Sequence, residues 1–199
     1  MTEGSLMKSL FKPSSAAITA WLSSLQTRKP TFDIGSEGAT RGHFKDRFCI
    51  QLGSGQDCYQ KACQGLAEWK MFPGSMATLT PAAPAVEEGT GLAVTFRAGP
   101  LWTTNPCRIV SVVNEKSTSG ESFSIAYATL PGHVEQGWEQ FRVAMDYEDN
   151  TVWYEINVYS RPKWWPVWLV LPYARHQQKK FRRLSGEAML EAMNEGAAL

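Results

Sequence analysis

The sequence lacks several features that would place it in a large class of proteins. It has no run of about eighteen apolar residues, so it offers no transmembrane helix. Its 20 Lys and Arg against 19 Asp and Glu leave a net charge of +1. The chain therefore has no excess of positive charge that would favour binding to nucleic acid. The N-terminus has neither the layout of a secretory signal nor the Arg content of a transit peptide. We therefore expect a cytoplasmic protein, with organelle import left open.

Motifs that carry common enzyme chemistry are missing as well. No G-x-S-x-G elbow is present, so an α/β-hydrolase nucleophile has no support. Gly53-Ser54-Gly55 lacks the third glycine of a dinucleotide-binding turn, because Cys58 stands in its place. Cys58 and Cys63 are too far apart in sequence for a C-x-x-C pair. We expect reduced structural thiols, no metal site and no cofactor.

What the chain does contain is a clear succession of hydrophobic periods. Ser14 and Ser15 can cap a first helix whose apolar residues recur at i, i+3, i+4 and i+7. A strand around 48–52 follows, and Asp57 can cap a second helix. Apolar residues then alternate with polar ones in consecutive segments, which are typical of strands. These segments are 76–80, 92–97, 107–114, 123–129, 139–145 and 152–159. After Arg161-Pro162 the pattern is helical.

This order predicts an α+β fold. Strands joined by short turns pair antiparallel, so the seven segments should form one curved antiparallel sheet. Its apolar concave face must be covered, and the long C-terminal helix is the available cover. The result is a helix-grip arrangement, with residues 1–30 as an N-terminal segment holding one short helix, 31–193 as one domain and 194–199 as a flexible tail. Gln177, Phe181, Leu184 and Ala188 mark one stripe of this helix.

Several short sequence motifs resemble those of a known family. They are GAT at 38–40, YATLPGH at 127–133, Gly137, Phe141 and SRP at 160–162. Together they make most of the chain, from about Phe32 to about Leu190, similar to uncharacterised protein family 0548, a domain-of-unknown-function family of bacteria and plants. The resemblance implies the START and pollen-allergen-like helix-grip superfamily and no settled activity. Trp138 departs from the family pattern, which more often has Glu there, so no acidic role transfers to that position.

His133 is the leading candidate for a catalytic or ligand-binding residue. It follows Pro131-Gly132 at the end of a strand, with Glu135 and Glu139 close in sequence. An imidazole beside a carboxylate can act as a general base or hold a polar ligand group. The alternative is that His133 caps its loop by a hydrogen bond to the backbone. The candidate catalytic residues are thus His133 and Glu139.

A bent sheet gripping a helix tends to leave space between the layers, where an apolar ligand would lie. Strand parity groups the aromatic residues on one face but does not decide which face is inward. The candidate ligand-binding residues are Phe96, Tyr127, Tyr154, His133 and Arg161. Arg161 can meet a ligand carboxylate or phosphate, or it can form a salt bridge with Glu37 or Glu139. Thr40 is expected to be a turn residue.

Segment 163–173 is rich in Trp and is followed by a run of basic residues. This pattern is typical of an interfacial membrane helix, and also of a helix that covers a sheet. Three functions remain open. The first is a START-like module that binds an apolar small molecule between sheet and helix. The second is a cyclase- or hydrolase-like enzyme using His133. The third is a protein that contacts a membrane or a partner through the Trp-rich segment.

Overall fold

The computed structural model describes residues 7–35, 43–163 and 171–194. The strands, in chain order, are β1 (Met7–Ser9), β2 (Phe44–Ser54), β3 (Ala77–Thr80), β4 (Gly91–Ala98), β5 (Leu101–Lys116), β6 (Gly120–Thr129), β7 (Glu135–Asp146) and β8 (Thr151–Pro162). The helices are α1 (Ser15–Ser24), α2 (Gln56–Ala67) and α3 (Leu171–Asn194). The Trp164–Trp168 cluster, Glu37 and Thr40 lie outside the described residues.

The main sheet has the strand order β2-β8-β7-β6-β5-β4-β3, and every neighbouring pair is antiparallel. The predicted seven-stranded helix-grip fold is therefore confirmed. Register shifts at Gln51/Gly53 in β2 and at Ile109/Ser111 in β5 mark irregularities that bend these strands. The sequence did not predict β1, which pairs with β5 outside this order. Three residues are too few to show a period.

The concave face of the sheet carries the main core. Alternate residues of the strands point to it, and α2 and α3 cover them. Tyr154, Phe141 and Ile125 are fully buried there, together with Leu66 of α2 and Met189 of α3. Burying large side chains of this kind contributes about 1.5–3 kcal/mol each. The apolar packing fixes the helices over the sheet.

The convex face is partly covered by α1. Ser14 caps this helix as predicted, because its Oγ accepts the Ala17 N–H at 3.2 Å. The apolar residues that α1 shares with the sheet form a second cluster of Ile18, Trp21, Leu25, Ala93 and Leu130. Arg108 then donates to the carbonyl oxygens of Leu25, Gln26 and Arg28 beyond the helix end. The N-terminal segment is thus docked on the outer face of the sheet.

The apolar stripe marked in the sequence does not show which side of α3 faces the sheet. The residues turned to the sheet are Arg182, Ser185, Gly186 and Met189, all buried, whereas Leu184 and Ala188 lie to one side and are only partly buried. A search for apolar residues passes over Arg182 and Ser185 because it assumes that polar side chains face water. Gly186 permits the close approach, since a Cβ there would lie 2.9 Å from the Phe48 ring.

Candidate functional site

Polar and charged side chains gather between the N-terminal half of α3 and the concave face. The strand register explains why. Asp46 of β2 and Glu139 of β7 are both paired with Val158 of β8, and Tyr127 of β6 is paired with Glu139. These residues form one row across the sheet and point to the same side. The polar members of this row, together with neighbouring polar residues of β7 and α3, are called the polar cluster. It consists of Asp46, Tyr127, Glu135, Glu139, Arg175, Gln178 and Arg182.

Glu139 and Tyr127 form the centre of the polar cluster. The Tyr127 hydroxyl donates to Glu139 Oε2 at 2.5 Å. Desolvation raises the pKa of Glu139 to about 7, although the Tyr127 hydrogen bond and the charge of Arg182 act in the opposite direction. Burial and the neighbouring charge of Glu139 also raise the pKa of Tyr127 well above its usual value. Glu139 keeps part of its surface exposed, so it can exchange a proton near neutral pH while Tyr127 stays protonated.

Asp46 connects β2 to α3. Its carboxylate accepts two hydrogen bonds from Arg175, at 2.5 and 2.7 Å, and Arg182 lies 3.6 Å away. The Arg175 bonds hold the pKa of Asp46 below its usual value. Gln178 adds a second link, because its amide donates to Glu135 Oε1 at 2.7 Å. The N-terminal half of α3 is therefore joined to the sheet largely by polar contacts.

Tyr154 lies deeper under the same helix. Its hydroxyl is 2.7 Å from Ser185 Oγ, and both residues are fully buried. Burial raises the pKa of Tyr154 well above its usual value, and the charge of Glu139 adds to the effect. The structure thus brings three of the sequence candidates, Tyr127, Glu139 and Tyr154, to one side of the sheet.

His133 lies in the loop between β6 and β7. Its backbone N–H donates to the Leu130 carbonyl at 3.1 Å, and its Nδ1 accepts the Glu135 N–H at 2.9 Å. Burial lowers the pKa of His133 to about 3, so the imidazole is neutral. Since Nδ1 is occupied as an acceptor, the ring proton resides on Nε2. This geometry favours the loop-capping role over the role of a general base.

Arg161 and Phe96 lie apart from the polar cluster. Arg161 donates to Gln136 Oε1 from Nε at 3.0 Å and from Nη2 at 2.8 Å, and Gln136 in turn donates to the Thr31 carbonyl. Strand alternation puts Arg161 on the convex face, so it supports the segment after α1. Phe96 is on β4, which β5 separates from the Tyr127 strand.

A groove of about 340 Å³ lies between α3 and the loop at 70–75. Leu184 and Ala188 line one wall, and Phe72 lies on the opposite wall. The Phe72 ring centre is 5.6 Å from that of Phe141 and 5.6 Å from that of Phe181. These three rings fill the space between the groove and the concave face. Sequence reasoning missed the groove because a loop without periodicity forms one wall.

A family model described as a domain of unknown function, DUF1990, matches residues 33–188. This chain belongs to the DUF1990 family. It is 32% identical over 173 residues to a UPF0548 protein of Arabidopsis thaliana, covering 86% of this chain and 82% of that protein. It is 29% identical over 155 residues to a UPF0548 protein of Dictyostelium discoideum, covering 74% and 72%. The resemblance to family 0548 is therefore confirmed.

Solved structures are more remote from this DUF1990 chain. Norcoclaurine synthase of Thalictrum flavum, solved with dopamine and hydroxybenzaldehyde, matches with a TM-score of 0.48 and 14% identity. The match covers 83% of this chain and 94% of that one. A likeness at this level carries no argument about ligand or reaction. Among the described residues, no helix is both long and apolar enough to cross a membrane.

Proposed function

We propose that this DUF1990 domain binds an apolar small molecule in the groove between α3 and the 70–75 loop. The observation that carries the proposal is the position of the apolar stripe of α3. Leu184 and Ala188 line the groove instead of the core. An amphipathic helix usually buries its apolar stripe, and a stripe left along a groove is typical of a binding site. The volume of 340 Å³ lies within the usual range for small ligands, about 300–1,000 Å³.

The rim of the groove supports an uncharged ligand. Lys70 contributes to one wall, and Glu187 and Glu191 contribute to the other. Glu187 is paired with Arg183, so Lys70 and Arg183 balance Glu187 and Glu191, and the rim carries no net charge that would favour a charged ligand. A ligand could extend deeper if the Phe72 ring moved aside. A molecule that replaced its ring would meet Phe141 and Phe181, which the ring now contacts.

The test is native mass spectrometry of gently purified protein, followed by extraction and by titration with the uncharged dye Nile red. Ala188→Trp fills the groove, and it should abolish both the adduct and the dye signal. Arg183→Trp is the matched control, because it adds the same ring at a side chain that is 61% exposed. It should leave both signals unchanged. Equal dye binding by the two folded variants would refute the groove as the site.

A second candidate function is acid–base catalysis on an apolar substrate, of the cyclase or hydrolase type. It is favoured by Glu139, whose pKa of about 7 suits proton transfer at neutral pH. Tyr127 holds the carboxyl in position. The experiment is to incubate the extracted compound with the wild type and with Glu139→Gln. Turnover that falls about a hundredfold or more in the variant, with binding retained, would support the enzyme. Absence of turnover in the wild type would leave the binding function alone.

A further inference from the structure

Arg182 is a buried cation with unused hydrogen-bonding capacity. Its side chain is only 8% exposed and faces the sheet. In the part of the chain that the structure describes, its one polar contact is the Asp46 carboxylate at 3.6 Å, beyond hydrogen-bonding distance. Arg175 already occupies both oxygens of that carboxylate. A guanidinium has five N–H donors, and the Arg182 nitrogens are not among the buried unpaired atoms of the described residues, so the unused donors keep contact with solvent. The side chain therefore has donors available for an oxygen that comes from elsewhere.

The neighbours of Arg182 define where that oxygen would lie. Glu139 lies in the same row of the sheet as Asp46, because both are paired with Val158. The charge of Arg182 acts to lower the pKa of Glu139 and that of Glu135, yet among the described residues neither carboxyl forms an ion pair with it. Tyr127 donates to Glu139 Oε2. A proton on this carboxyl therefore resides on Oε1, where it can be donated onward. Arg182 and Glu139 thus present two donors in the same region beneath α3.

The charges around this region decide the class of ligand. The two carboxyl groups of Asp46 and Glu135 stand beside the two guanidinium groups of Arg175 and Arg182, and the positive charges of both arginines act to lower the pKa of each carboxyl. With a proton on Glu139 the polar cluster is close to neutral. A ligand anion or cation would add an uncompensated charge in a desolvated place, which is strongly unfavourable. An uncharged oxygen acceptor satisfies the donors without that penalty.

We propose that Arg182 and Glu139, positioned by Tyr127, bind the oxygen of an uncharged carbonyl group such as a ketone, an ester or an amide. Arg182 donates N–H bonds to the carbonyl oxygen, and protonated Glu139 donates the second bond. This site is distinct from the groove, because Arg182 and Leu184 are about 200° apart around α3. The inference therefore goes beyond the proposed function, and each can fail alone.

Access to the site is available in the present geometry. Glu139 is partly exposed, so small molecules can reach it. The N-terminal half of α3 is joined to the sheet by Arg175–Asp46 and Gln178–Glu135, and such polar contacts can be exchanged with water. A compound the size of one ring is a suitable probe.

The experiment is an NMR titration of the full chain at pH 6, where Glu139 holds its proton. The Nε–Hε resonance of Arg182 is followed as cyclohexanone, cyclohexanecarboxylate or cyclohexylamine is added. Cyclohexanone should shift the resonance saturably and bind about tenfold or more tighter than the two charged compounds. Arg182→Gln should weaken cyclohexanone binding about tenfold or more, the loss expected for a charge-assisted hydrogen bond. Arg183→Gln, on the exposed side next to it, should change nothing.

Two further variants keep the test decisive. Arg182→Lys retains the charge but loses the fork of donors, so it should bind cyclohexanone less tightly even if Arg182→Gln fails to fold. Glu139→Gln keeps an N–H donor, so it should retain binding at pH 6 and also at pH 8, where the wild type loses its second donor. The proposal is overturned if cyclohexanone leaves the Arg182 resonance unmoved, if the carboxylate or the amine binds as tightly, or if no Arg182 variant weakens binding. Nile red binding is unaffected by any of these outcomes.

Discussion

The two halves of α3 meet the sheet in different ways. The C-terminal half packs by apolar contact, with Gly186 against the Phe48 ring and Met189 against the α2 residue Gly65. The N-terminal half is joined by polar contacts, chiefly the Arg175–Asp46 ion pair. Close apolar packing holds a helix at one place, because shifting it would open voids. Polar contacts can be exchanged for contacts with water. We therefore expect one half of α3 to be fixed and the other to respond to a ligand or to pH.

The largest expected effect tests the fixed half. Met189→Ala removes a fully buried side chain and should lower the free energy of unfolding by about 2–5 kcal/mol. Leu184→Ala, on the groove side of the same helix, should cost about 1 kcal/mol or less, because that residue is only partly buried. Urea denaturation of both variants measures the difference. Similar losses in the two variants would contradict the assignment of the sheet-facing stripe.

The next prediction concerns pH and the responsive half. Folded Glu139 keeps its proton up to about pH 7, whereas the unfolded carboxyl loses it near pH 4.5. Between these values the folded state binds more protons, so the free energy of unfolding falls as pH rises. The fall is at most roughly 3 kcal/mol, and less because the group is partly exposed. Glu139→Gln should therefore be more stable than the wild type at pH 8 and about equal to it at pH 5.

Urea denaturation at the two pH values measures this change, and Glu115→Gln, at an exposed site, is the control. The control should follow the wild type at both pH values. A wild type whose stability is constant from pH 5 to pH 8 would show that Glu139 titrates like an ordinary surface carboxyl.

The smallest effect on global stability comes from the ion pair itself. Asp46→Asn should cost about 1–2 kcal/mol, since the pair is partly exposed. Local opening should change more, because amide hydrogen exchange should accelerate at 175–182 and stay unchanged at 186–192. The lowered pKa of Asp46 means that its stabilisation is present above the unfolded pKa and lost as pH falls through the folded one. The variant and the wild type should therefore converge in acid.

Glu187→Gln is the control for this variant. It removes the exposed pair with Arg183 on the same helix, and it should cost less than about 0.5 kcal/mol. Uniform acceleration of exchange along α3 in Asp46→Asn would show that the helix opens as one unit, and the comparison of its two halves would then fail.

Some of the candidate site was accessible from the sequence. Strand alternation grouped Tyr127 with its strand neighbours and Glu139 with Phe141 and Met145, and all of these face the concave side. Alternate residues of a strand point to opposite faces because the chain is extended, and this holds whatever the strand packs against. Each of the three candidates could therefore be placed on one face of its own strand without knowledge of the fold, whereas the strand register brings the three onto one face of the sheet. The inward direction of that face required the position of α3.

The sequence by itself determined the order of helices and strands, the antiparallel sheet, the helix-grip arrangement and the family. These follow from apolar residues that recur every two or every 3.6 positions, from the short turns between strands and from short sequence motifs. Only the tertiary structure decided which stripe of α3 faces the sheet. The partner of Arg182 and Arg175 is Asp46, which is 129 positions from Arg175. An ion pair between residues so far apart leaves no local pattern in the sequence. The polar residues that take part in it are buried, but the sequence alone does not distinguish them from polar residues that face water.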